Sequence, residues 1–100
     1  GIGEDGHTAS LFPGAPALKE RTGLAIPVMI GPALHDRITL TLPVINNALT
    51  VAFLANGKRK KTIIKKLREG YDKTLPASMI KPEKGRLLFL LDREAGGDHQ

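Results

Sequence analysis

Two short apolar runs with a basic, amphipathic helical segment between them constrain the fold of this chain more than any other feature. Residues 50–55 read TVAFLA and stop at Asn56 and Gly57, and residues 87–91 read LLFLL. Neither run alternates apolar with polar residues, so each predicts a strand covered on both faces, as in a parallel sheet. Residues 58–69 carry apolar side chains at helical spacing and end at Gly70, the residue type expected just past a helix C-terminus. Strand, helix, strand predicts an α/β fold with a right-handed crossover.

The remaining segments predict smaller pieces around that unit. Residues 24–30 are apolar and predict a strand, which Pro27 confines to an edge or an irregular end. Residues 37–42 alternate cleanly, which predicts a half-buried strand with Ile38, Leu40 and Leu42 inward and Arg37, Thr39 and Thr41 outward. Pro43 opens a helical turn or two through Ala48. A short helix is expected from about His7, ended by Pro13, Gly14 and Pro16. Residues 76 and 82, both proline, lie in a connection, residues 92–95 predict a terminal turn, and the polar tail 96–100 is expected to fray.

One hundred residues suit a single small domain. No apolar run approaches the roughly 18 residues of a membrane span, and no basic-then-apolar signal pattern opens the chain. Cysteine is absent, which removes disulfides, thiol catalysis and Cys-based zinc sites and suits a reducing compartment, with the cytoplasm as the expected location. The chain opens on a Gly-rich loop, GIGEDG, with no apolar strand leading into it, so an upstream segment is expected.

Gly1, Gly3 and Gly6 formally satisfy the G-x-G-x-x-G pattern of dinucleotide sites. That reading fails, because the fingerprint needs a preceding strand, and because Glu4 and Asp5 place carboxylates where a pyrophosphate would sit. The same loop puts Glu4, Asp5 and His7 within four positions of a backbone that glycine allows to bend sharply. An imidazole titrates near neutrality, about 6.5 when unperturbed, and a nearby carboxylate can fix its tautomer and strengthen it as a base. Residue types alone favour the plainer reading, a surface histidine capping or flanking a helix. A metal site is not expected, since Asp5 and His7 are only two ligands and His35 and Asp36 lie far along the chain.

The charge balance is +5, and Lys58, Arg59, Lys60, Lys61, Lys65, Lys66 and Arg68 crowd into eleven positions. At about 100° per residue, Ile63, Ile64, Leu67 and Tyr71 all fall within about 60° of Lys60, whereas the other basic residues fall about 80° or more away. Lys60 therefore heads the apolar stripe. A lysine in that place is suited to an anion held jointly with the free N–H groups of the first helical turn, although it could also reach out to solvent. Arg37, beside Thr39, is suited to phosphate or a developing oxyanion, or else is an edge arginine paired with Asp36 or Glu20. The outward lysines read more simply as a solvated face. A nucleic-acid-binding module built on residues 58–68 is the alternative, weakened by the scarcity of aromatic residues to stack on bases.

Taken in order, GIGEDGHTASLFPG (1–14), RITLTLP (37–43), FLANGKRK (53–60) and GRLLFLLD (85–92) resemble the 6-phosphogluconolactonase family over nearly the whole chain. The resemblance implies the C-terminal part of a Rossmann-like, mostly parallel sheet flanked by helices. In that reading residues 1–100 form one segment whose N-terminal half is missing. The implied activity is hydrolysis of 6-phospho-D-glucono-1,5-lactone to 6-phosphogluconate, a step of the oxidative pentose phosphate pathway, without a cofactor. In that pattern His7 is the general base and Asp5 its support. Gly3 and Gly6 let the loop approach the sugar, and Arg37 and Lys60 turn toward the substrate, with Lys60 the better phosphate ligand. The sugar-phosphate lactone is the expected partner, with neither nucleic acid nor membrane. Glucosamine-6-phosphate deaminases share the GxGxDGH element but carry an acidic residue soon after it, whereas residues 8–13 here, TASLFP, contain none.

Overall fold

The computed structural model describes residues 1–30 and 35–97. The predicted strand–helix–strand unit is present. Strand β3 (Thr50–Ala55) runs parallel to β4 (Arg86–Leu91), with Phe53 opposite Phe89. The chain between them begins as a 3-10 turn, Lys58–Lys60, and continues as an α-helix, Lys61–Arg68. Gly70 follows at φ 112°, a left-handed conformation that takes the chain off the helix. That early exit leaves Tyr71 exposed, so its place on the expected apolar stripe is not realised.

Packing follows the periodicity of the helix. Ile63, Ile64 and Leu67 are buried against the same sheet face as Phe53 and Ala55, and the Phe53 and Phe89 rings stack with centroids 5.4 Å apart. Each of the three aliphatic side chains contributes about 1.5–3 kcal/mol through burial. The expected terminal turn is a short helix, Arg93–Gly96, capped by Asp92, whose Oδ1 accepts from the Ala95 N–H at 2.8 Å.

The second sheet is an antiparallel pair. In chain order, the strands are β1 (Ala25–Ile30) and β2 (His35–Leu40), with β3 and β4 in the other sheet. The helices are α1 (Leu42–Asn46), α2 (Lys61–Arg68) and α3 (Arg93–Gly96). Pro27 sits in β1 opposite Ile38, on the edge that its missing N–H requires. Among the described residues the fold is thus mixed α/β, with one parallel and one antiparallel pair.

Three expectations are corrected. The first is the facing of β2. Thr39 and Thr41 are buried, whereas Ile38 and Leu40 are 76% and 51% exposed, the reverse of the predicted facing. Alternation establishes two faces without saying which is covered. The hydroxyls tolerate burial because they are satisfied. Thr41 Oγ1 donates to the Gly23 carbonyl at 2.7 Å, and Thr39 Oγ1 donates to the Leu40 carbonyl while accepting from the Ser10 N–H. Of the residues expected inward, Leu42 is buried, but from the first turn of α1.

The second concerns the segment after His7. It forms a tight reversal with an antiparallel bridge between Thr8 and Leu11, and the first helical element there is a 3-10 turn at Pro16–Lys19. The third is the covering of β3 and β4. Leu54 and Leu90 are exposed while Phe53 and Ala55 are buried, so β3 is covered on one face and not both. The connection after Gly70 contains a 3-10 turn at Pro76–Met79 with Pro76 and Ala77 buried. The expected fraying of the tail falls largely on residues 98–100, and the His35 and Asp36 side chains matter to the metal reading; both lie outside the described structure. No helix among the described residues is long and apolar enough to cross a membrane.

Candidate active site

Glycine shapes the loop that carries the imidazole. The Gly3 N–H donates to the His7 carbonyl and the Gly6 N–H to the Gly3 carbonyl, both at 2.9 Å, folding residues 3–7 into nested turns. Gly6 takes φ 88°, and its carbonyl accepts from the Ala77 N–H at 2.8 Å, which docks the loop on the 3-10 turn at Pro76–Met79. Gly3 is demanded for a different reason. A Cβ there would lie 2.2 Å from both Cε1 and Nδ1 of His7, so the backbone runs directly against the ring.

Asp5 and His7 form one unit. Asp5 Oδ1 accepts from the His7 backbone N–H at 3.0 Å and lies 2.6 Å from His7 Nδ1. The backbone N–H of His7 is the main reason the Asp5 carboxyl is held below its usual range, with further help from the ring. Burial pushes the other way, more strongly than either contribution from the ring. An ionised Asp5 can only accept, so neutral His7 carries its proton on Nδ1 and keeps the Nε2 lone pair free for a proton from water. The two side chains are 52% and 33% exposed, within reach of a solute.

Lys60 reaches the same place from the other half of the chain. Its Nζ donates to the Ile2 carbonyl, and an ammonium has three N–H groups, which leaves two for an anion. Next to it, Arg59 pairs with Glu4 at 3.0 Å. His7, Lys60, Gly1, Ile2, Gly3 and Ala9 together line a cleft of about 400 Å³. A wider hollow of about 1390 Å³, with Leu42, Leu67, Leu87 and Phe89 in its lining, includes none of the predicted site residues. That lining also carries Lys19, Arg21, Lys73, Lys81 and Glu83 but no imidazole, whereas the smaller cleft has His7 with its carboxylate partner and Lys60 beside it.

Of the predicted residues, Asp5, His7, Gly3, Gly6 and Lys60 gather around this loop. Arg37 does not line the cleft. It is exposed on β2 in register with Val28, on the same strand face as Thr39. The Glu20 carboxylate, one partner considered for it, is taken up by the N–H groups of Thr22 and Gly23. Among the described residues, no three His, Asp or Glu side chains gather as a metal site requires. Three contributors were not singled out from the sequence. Ala9 adopts a left-handed φ of 51°, Phe12 stacks on the His7 ring, and Thr39 holds the Ser10 N–H. Nothing in the local pattern of alanine or phenylalanine signals such roles.

Residues 1–89 match the model of the family described as glucosamine-6-phosphate isomerases/6-phosphogluconolactonase. The chain belongs to that family. It is 45% identical over 96 residues to 6-phosphogluconolactonase of Rattus norvegicus, covering 95% of this chain and 37% of the rat protein. It is also 45% identical over 98 residues to the probable 6-phosphogluconolactonase of Drosophila melanogaster, covering 96% of this chain and 40% of that protein. Among solved structures, 6-phosphogluconolactonase from Trypanosoma brucei superposes with a TM-score of 0.81 at 30% identity, over 99% of this chain and 40% of that one. A monomeric glucosamine-6-phosphate deaminase superposes with a TM-score of 0.77 at 22% identity, over 98% of this chain and 45% of that one, a likeness of fold alone. The chain therefore spans about two fifths of the length of these family members.

Proposed function

We propose that this chain carries the base-bearing part of a 6-phosphogluconolactonase, which hydrolyses 6-phospho-D-glucono-1,5-lactone to 6-phosphogluconate. The observation that carries the reading is the Asp5–His7 pair, 2.6 Å apart, on a cleft that Lys60 also lines. His7 Nε2 takes a proton from water as its oxygen attacks the lactone carbonyl. The tetrahedral intermediate then collapses with cleavage of the ring C–O bond, and the imidazolium returns the proton to the departing ring oxygen. One water is consumed and the open-chain acid is formed. A lactone is already activated, so neither a cofactor nor a covalent nucleophile is needed. The two free N–H groups of Lys60 suit the 6-phosphate, and a role for Arg37 toward the substrate rests on the family resemblance alone, since it lies off the cleft.

In this reading residues 1–100 are the C-terminal part of a larger Rossmann-like domain acting in the cytoplasm on a small sugar phosphate. A deaminase of the same fold is disfavoured by TASLFP at residues 8–13, which offers no carboxylate beside His7. The test is lactone hydrolysis, followed as acid release above the spontaneous rate, by the wild-type chain and by His7→Gln. Loss of about 10²-fold or more in kcat is expected, and an unchanged kcat would remove His7 from the mechanism.

A further inference from the structure

The hydrogen bond to Asp5 fixes one atom of the His7 ring and not its plane. The terminal torsion of a histidine is broad, so a ring tethered only at Nδ1 can swing about that contact and exchange tautomers. Phe12 meets this need. The antiparallel bridge between Thr8 and Leu11 makes residues 7 and 12 the next cross-strand pair, and their rings stack with centroids 4.5 Å apart at 25°. The reversal that brings them together is held on several sides. Ala9 accepts its left-handed φ at the turn, Leu11 is fully buried, the Ser10 N–H donates to Thr39 Oγ1 at 3.1 Å, and Thr8 Oγ1 donates to the Gly1 carbonyl at 2.8 Å. A non-glycine residue kept in that conformation marks a turn over-determined by its surroundings.

We propose that Phe12 is a positioning residue, whose ring holds the His7 imidazole in the plane that keeps its Nδ1 proton on Asp5 and its Nε2 lone pair free. The inference rests on the lactonase reading for its kinetic consequence and on the Thr8–Leu11 reversal for its geometry. Phe12 touches the base and no reacting atom.

Two readouts test it on this chain. In the unliganded protein, imidazole ¹⁵N shifts report the tautomer: the wild type is expected to hold one, Phe12→Leu to show a mixture, and Phe12→Tyr to restore the single form. In lactone turnover, Phe12→Leu is expected to lower kcat by about 3–10-fold with KM little changed, and Phe12→Tyr to recover it. Phe12→Met replaces Phe12→Leu if the leucine variant does not fold. A leucine or methionine variant with the wild-type ¹⁵N pattern overturns the proposal, as does a tyrosine variant that fails to restore it. Lactone turnover that His7→Gln leaves unchanged, alongside the expected ¹⁵N changes, would sink the lactonase reading and leave the role of Phe12 standing.

Discussion

Replacing Gly3 by alanine sets one methyl group against the imidazole of His7. The added Cβ would fall 2.2 Å from Cε1 and Nδ1 of His7 and 2.8 Å from Asp5 Oδ1, whereas ordinary contact begins at 3.4 Å. The ring must therefore retreat by the difference between 2.2 and 3.4 Å, about 1.2 Å. Added to the 2.6 Å between Nδ1 and Asp5 Oδ1, a retreat of that size breaks the hydrogen bond. Gly3 is not among the glycines with positive φ, so alanine fits its backbone and the chain is expected to fold, with a melting temperature within about 5 °C of wild type. Misplacing a general base by about 1 Å costs on the order of 10²-fold in rate. The Gly3→Ala chain should thus keep its melting curve and lose lactone turnover by that factor, with the Asp5–His7 contact gone from its imidazole ¹⁵N spectrum. Wild-type kcat with an intact contact would refute the steric argument. Loss of activity through global unfolding would refute the claim that Gly3 serves the ring and not the fold.

Acid should weaken the fold partly through Asp5. Its carboxyl is held below the ordinary 3.8, chiefly by the His7 backbone N–H, so its contribution to stability is complete above that value and is lost as pH falls through the lower, folded value. Glu20 and Asp72 are lowered too, the first mainly by the Gly23 N–H and the second by the Thr74 hydroxyl, so Asp5→Asn should flatten only part of the decline in melting temperature between pH 5 and pH 2. An acid limb identical in Asp5→Asn would contradict this. Lys60→Met should raise KM for the phosphorylated lactone by about 10-fold or more with a smaller change in kcat, since charge-assisted hydrogen bonds to the ground state are lost. An unchanged KM would place the phosphate elsewhere.

How far the sequence could be read depended on whether local pattern or tertiary context decided each element. The runs at Thr50–Ala55 and Arg86–Leu91 and the stripe Ile63, Ile64, Leu67 were legible because an unbroken apolar run and a helical period leave few alternatives, but the covering of both strand faces was not, since Leu54 and Leu90 stay exposed. The facing of β2 was not, because buried threonine needs partners on Gly23, Leu40 and Ser10 that only the folded chain supplies. The helix expected near His7 gave way to a reversal whose left-handed residue is an alanine, a type that carries no turn signal. In the site, Gly3, Asp5, Gly6 and His7 were legible as one contiguous loop. Lys60 was legible from its helical angle, because a cation at the head of an apolar stripe calls for a partner. Here that partner includes the Ile2 carbonyl. The role of Phe12 depends on the Thr8–Leu11 pairing and has no sequence signal of its own.

The most direct measurement is the rate at which the chain opens 6-phosphogluconolactone, with the His7→Gln chain at equal concentration and with its fold verified. Turnover above the spontaneous rate is expected for the wild type, with a loss of about 10²-fold or more on removing the imidazole. Equal rates in the two proteins would show that the Asp5–His7 pair does not perform the hydrolysis.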